Sequence, residues 1–151
     1  MRLVKAREVQ ALTGLTADRL REWTGRRGLV RPDVPARGKG SQARYSWQTV
    51  LALRLAGVLK DQFKVELQAH RELLGKMQNE LAGKSFPALR GCVMALYGSA
   101  AVELRASGSY RGNLDAAVLL LPLEPHLEAL SIGFGMPDAV QQRPLFPALS
   151  V

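Results

Sequence analysis

Cysteine is nearly absent from these 151 residues: Cys92 stands alone. One thiol excludes an intrachain disulfide and any site built from several thiolates, and gives no reason to assign an oxidising compartment. Histidine is almost as scarce. His70 and His126 lie far apart with no recognisable ligand spacing, so no metal and no cofactor is expected. Long apolar runs are missing too. The longest, Ala116 to Leu123, is far short of the roughly 20 residues a membrane helix needs. The amino terminus is basic but lacks the apolar stretch of a signal peptide. The expectation is a cytoplasmic protein with no membrane partner. Catalytic patterns are equally thin: Ser99, Asp115 and His126 can be named together, but nothing in their spacing makes a triad. No glycine-rich phosphate loop precedes a helix. No enzyme is expected.

Acidic residues are also in short supply, and unevenly so. Residues 1–85 carry 17 Lys and Arg against 8 Asp and Glu, a balance of +9. Residues 86–151 carry 4 against 5, a balance of −1. A basic first half beside a near-neutral second half points to a polyanion-binding part joined to something else. With an apolar fraction of 47%, an ordinary core is expected.

The stretch TGLTADRLREWTGRRGLVRPDVPARGKGSQAR, Thr13 to Arg44, organises the chain. Ala6, Val9 and Leu12 recur at helical spacing and predict a first helix over Ala6–Leu12, after an extended Leu3-Val4. Gly14 can adopt the left-handed conformation that ends it. Thr16 can cap the next helix, with Asp18 in its first turn at the positive end of the dipole. Leu15, Leu20 and Trp23 then face inward, leaving Thr16, Arg19, Arg21, Glu22 and Arg26 outward. Gly28 offers a stop and Pro32 forbids further helix. Two short helices joined by a glycine-containing turn make a helix-turn-helix. The outward cations suit a major groove. Between Val30 and Tyr45, turn formers surround Arg37, Lys39 and Arg44. This reads as two short strands about a glycine-rich tip that could approach phosphates.

Ser46 can cap a third helix to about Gln62, packing through Trp47, Val50, Leu51, Leu55, Val58 and Leu59. Phe63 and Lys64 form a break. A fourth helix is expected from Val65 to Leu81, with Leu67, His70, Leu74, Met77 and Leu81 on one stripe. Trp23, Trp47 and Phe63 are read as core. Gly83 to Pro87 reads as a linker. Strands are expected at Cys92–Tyr97, Ala101–Ala106 and Ala116–Leu121, a short helix at Pro125–Ser131, and an irregular tail from Gly133. The fold class is therefore α+β, an N-terminal winged helix-turn-helix of four helices and a β wing followed by a small β-rich module. The expected division is 1–83 for the DNA-binding domain and 84–151 for the module of unknown role.

Residues 3–80 resemble the DNA-binding domain of the mercury-resistance-regulator (MerR-like) family, bacterial-type winged helix-turn-helix regulators. The resemblance rests on VKAREVQALTGLTADRLREW, on GLVRP at Gly28 to Pro32, and on RYSWQTVLALRLAGVLK from Arg44 to Lys60. It implies double-stranded DNA as partner, with Thr16, Arg19 and Arg21 on the groove helix and Arg37, Lys39 and Arg44 on the wing. Arg26, outward on the same helix, joins that set as a candidate DNA contact. Three departures stand out. Between Trp23 and Gly28 there is one residue more than the family pattern, and Gly25 is expected to loosen the helix end. Ala43 stands where the wing often has arginine, with Arg44 one residue later. No coiled coil follows the fourth helix, and no cysteine cluster is present for metal sensing.

The leading expectation is a sequence-specific, DNA-binding transcriptional regulator, with an architectural or excisionase-like DNA-bending protein and a protein-interaction adaptor as alternatives. A homodimer is expected, made chiefly through the carboxy-terminal strands; in a monomer the Leu67–Leu81 stripe would pack beneath them. Any small-molecule effector is unknown.

Overall fold

The computed structural model describes residues 2–98, 101–109 and 117–135. Strand β1, Val4–Lys5, leads directly into helix α1, Ala6–Thr13. Glu8 reaches back to accept from the Lys5 backbone N–H at 2.9 Å, satisfying one of the donors a helix start leaves open. Gly14 ends α1 at φ 76°, its N–H donating to the Gln10 carbonyl. Helix α2, Ala17–Arg21, starts on Thr16, whose hydroxyl accepts from the Arg19 N–H at 3.1 Å. Leu15, Leu20 and Trp23 are buried, as the spacing predicts.

The stretch after Trp23, where the sequence suggests one residue more than the family pattern, takes a distinct helical form. Glu22–Arg26 continues α2 as a π-helical turn, with the Arg27 N–H donating to the Glu22 carbonyl at 2.8 Å. A π turn accommodates one added residue without shifting what flanks it. Trp23, Leu29 and Val30 accordingly all stay in the core. Gly28, at φ 60°, reverses the chain, and the Leu29 N–H closes the end on the Trp23 carbonyl.

Only one of the two expected strands forms between Val30 and Tyr45. Strand β2, Arg44–Tyr45, pairs antiparallel with β1. The opposite arm contributes a single bridge, Val34 to Arg44, because the flanking Pro32 and Pro35 have no N–H to donate. Helix α3, Trp47–Asp61, is capped by Ser46 and is the buried axis of the molecule.

The expected helix Val65–Leu81 is broken. Lys64 takes φ 55°, the Val65 N–H folds back to the Leu59 carbonyl, and the Glu66 carboxylate accepts from the Gln68 N–H. A 3-10 turn, Leu67–His70, then precedes helix α4, Arg71–Leu81. The same reversal leaves Phe63 outside the core, 49% exposed. Trp23 and Trp47 are core residues, and the stripe Leu67, Leu74, Met77, Leu81 is fully covered.

The expected linker contains structure. Ser85 caps a one-turn helix α5, Phe86–Leu89, and Phe86 packs edge-on against Trp47 with ring centres 5.3 Å apart. Strands β3, Cys92–Tyr97, and β4, Ala101–Ala106, follow as expected. Strand β5 is Leu119–Pro122, later than the apolar run suggested, and Ala116 lies outside the described residues. The sheet order is β4-β3-β5, all antiparallel. Helix α6 runs Glu124–Gly133, longer than expected and with Pro125 in its first turn. Of the expected tail, residues 136–151 lie outside the described residues. The molecule is a mixed α/β fold with its helix-turn-helix first and a small sheet after it. One continuous core runs from Val9 through α3 and α4 to Leu96, Leu121, Leu127 and Phe134.

Candidate nucleic-acid interface

Two elements bearing exposed cations flank one cleft. The first is α2 with its π turn. Arg21 stands well out, its side chain 77% exposed, in a loose 3.7 Å pair with Asp18. Both charges sit in water, so the pair costs little to break. Arg26 is exposed one turn further on. The second element is the loop between Arg31 and Ala43, whose tip carries Arg37 and Lys39, both exposed. The Arg37 N–H donates to the Ser41 hydroxyl at 3.0 Å, tying the tip across its base.

The root of this loop is fixed by side chains. Gln78 on α4 brackets Arg31: its Oε1 accepts from the Arg31 N–H at 2.9 Å and its Nε2 donates to the Arg31 carbonyl at 2.7 Å. The Arg31 guanidinium donates to Asn79 at 3.0 Å. Asp33 accepts from the Ser46 N–H at 2.7 Å, which joins the loop to the start of α3. A cleft of about 410 Å³ results, with Gln10, Ala17, Arg21 and Thr24 on the helical wall and Pro35 and Ala36 on the loop wall.

The seven candidate residues do not all face this cleft. Arg21 borders it; Arg26, Arg37 and Lys39 are exposed on the two elements that form it. Thr16 is engaged as the cap of α2. Arg44 is half-buried on β2, its backbone committed to Val34. Arg19 lies elsewhere: it pairs with Asp61 at the end of α3 at 3.3 Å and stacks over the Trp23 ring at 5.5 Å. It borders a second, polar cleft together with Arg54, Asp61 and His126. Gln10 and Thr24 on the helical wall, and Gln78 beneath the loop, carry no signal in sequence. Each depends on which segments fold against one another.

In the second cleft, Arg54 on α3 donates through Nε to Nδ1 of His126 at 3.0 Å and through Nη1 to the carbonyl of Leu12. Burial, then the Arg54 charge, pulls the His126 pKa from 6.5 to about 4. His126 is therefore a neutral acceptor near neutral pH. Of the residues once grouped with it, Ser99 and Asp115 lie outside the described residues. No cluster of three His, Cys, Asp or Glu among the described residues could hold a metal. No described helix is long and apolar enough to cross a membrane.

Paired short helices with a glycine turn, a buried third helix and exposed cations on the second helix make a helix-turn-helix with a basic outer face. Residues 4–76, just under half of the chain, match the family model described as "MerR HTH family regulatory protein". The amino-terminal half is thus a MerR-type helix-turn-helix segment, on the residues whose motifs resembled it. No curated protein gives a match to the chain.

Proposed function

We propose that this protein is a sequence-specific DNA-binding transcriptional regulator, with α2 reading the major groove and the 31–43 loop acting as a wing on the backbone. The observation that carries this reading is the cleft itself. Exposed cations stand on both of its flanking elements, and Gln78 and Asp33 hold the loop root to the body. Long cations on a short exposed helix suit base edges, whereas a basic, backbone-rich tip suits phosphates. Arg21 and Arg26 are assigned to the groove, and Arg37 and Lys39 to the backbone. Thr16 serves the reading helix by capping it, Arg19 is paired with Asp61 away from the cleft, and Arg44 belongs to the wing through strand β2. No catalytic role and no cofactor is assigned, and a cytoplasmic location follows from the regulatory role.

The protein is further proposed to act as a homodimer, since one such unit spans only a few base pairs and two half-sites supply useful specificity. The α4 stripe is consumed in the core, which leaves the carboxy-terminal sheet and the neighbouring surface of α6, where Ile132 is 84% exposed. Selection of bound duplexes from a random library tests the reading. Enrichment of an inverted repeat is the expected result. Absence of any enriched sequence would favour the DNA-bending alternative if bound duplexes bend, and the adaptor alternative if nothing binds.

A further inference from the structure

We propose that helix α6, far along the chain from the helix-turn-helix, is a working part of the DNA-reading unit, and that His126 acts through Arg54 as a positioning residue for it. The proposal rests on the DNA-binding reading above and adds to it a residue that touches no DNA.

The last carbonyls of a helix lack intrahelical partners and carry the negative end of its dipole. In α1 one of these is the Leu12 carbonyl, immediately before the turn that launches α2. It is met by the Arg54 guanidinium, a cation delivered from α3. A guanidinium on a flexible stem needs a second anchor to hold one geometry. That anchor is His126 Nδ1, on the first turn of α6. Seven residues further along α3, two helical turns, Asp61 holds Arg19 of α2. Helix α3 therefore holds α1 through Arg54 and touches α2 through the exposed Asp61–Arg19 pair, and the hold on α1 depends on a residue of α6.

Contacts at the other end of α6 reinforce the arrangement. Arg2 donates to the Gly133 carbonyl at 3.1 Å, lies 5.8 Å from the centre of the Phe134 ring, and pairs with Glu8 of α1 at 3.2 Å. Gly133 lies close against Leu12: a Cβ there would meet the end of the Leu12 side chain, which would have to move. Leu12 is thus held twice by the same partnership, its carbonyl by Arg54 and its side chain by the closeness of α6. Because β5 runs into α6 through the buried Leu123, α6 links the sheet to the turn between α1 and α2.

The test uses full-length protein at pH 7.5, titrated by fluorescence anisotropy against the selected site and against an unrelated duplex of equal length. His126→Leu removes the acceptor, whereas His126→Asn keeps an oxygen that can accept from Arg54. Loss of one hydrogen bond to a charged group corresponds to about a tenfold effect. His126→Leu is therefore expected to bind the selected site about tenfold more weakly and the unrelated duplex unchanged, with His126→Asn close to wild type on both. Should His126→Leu not fold, Arg54→Lys, which keeps the charge but cannot span both partners, is expected to show the same selective loss. Equal weakening on both duplexes, no weakening, or failure of Asn to rescue would overturn the positioning role. Wild-type protein that binds neither duplex would instead remove the DNA-binding reading, and this proposal with it.

Discussion

His126 shows how burial, with the Arg54 charge beside it, sets a measurable property. The unfolded chain takes up a proton on His126 near 6.5, whereas the folded protein resists it until about 4. Between these values the unfolded state binds more protons, so stability rises with pH from about 4 to 6.5 and levels off above. Urea denaturation across that range should show the rise, and His126→Asn should flatten it; an unchanged profile would contradict the assignment. On the proposed interface, Arg21→Ala is expected to weaken the preferred site by about 1–3 kcal/mol and relax its sequence preference. Lys39→Ala should weaken all duplexes alike and reduce the salt slope by about one. Identical specificity profiles for the two variants would remove the division of labour. At this scale the sequence was legible where the physics is local. Thr16, Ser46 and Gly14 act within four residues of themselves, and their roles could be read directly. Arg19 reads from sequence as an outward cation of the groove helix; its pairing with Asp61 was not legible, because that partner is 42 residues away. Phe63 looked like core because aromatic character says nothing about which side of a reversal it falls on.

Among the elements, the π turn Glu22–Arg26 was visible only as a residue too many. Its consequence, an intact Trp23–Leu29 anchor, needed the fold. Gly25 in that turn and Gly75 in α4 have open space where a Cβ would go and no left-handed backbone. Gly25→Ala and Gly75→Ala should each stabilise by about 0.4–1 kcal/mol in chemical denaturation; destabilisation would mean that the local helix geometry is misjudged. Gly133→Ala is the opposite case. It is expected to cost about 1–2 kcal/mol through overpacking against Leu12, and the double variant with Leu12→Ala should lose less than the two single effects summed. Additive losses would show that the two residues do not meet. Periodicity found α1, α3, β3 and β4 almost to the residue. It missed the split before α4, since the apolar stripe continues through Leu67 and His70 while the backbone between them tightens to a 3-10 turn. Periodicity reports which side is buried, and both helix types bury that side.

At the scale of the whole molecule, charge divides the chain in two while packing does not. The basic first half and near-neutral second half share one core, because α6 returns to α1 and α3 and the sheet covers α4. Composition could reveal the first fact and not the second, which depends on contacts between residues more than a hundred positions apart, such as Arg2 and Gly133. A chain cut after Gly83 would uncover the parts of α1 and α3 that meet α6 and the side of α4 that meets β4, and would lose the His126 anchor. It is expected to unfold at lower denaturant than the full chain and to lose site preference. A truncated protein as stable and as selective as the full chain would contradict this integration.

If the exposed cations on α2 and on the 31–43 loop bind duplex DNA, the affinity must fall as salt rises. Each phosphate contact contributes about 0.9 to the slope of log affinity against log salt. With roughly 4–6 such contacts, the selected site should show a slope of about −4 to −5. Affinity that hardly changes with salt would contradict the account.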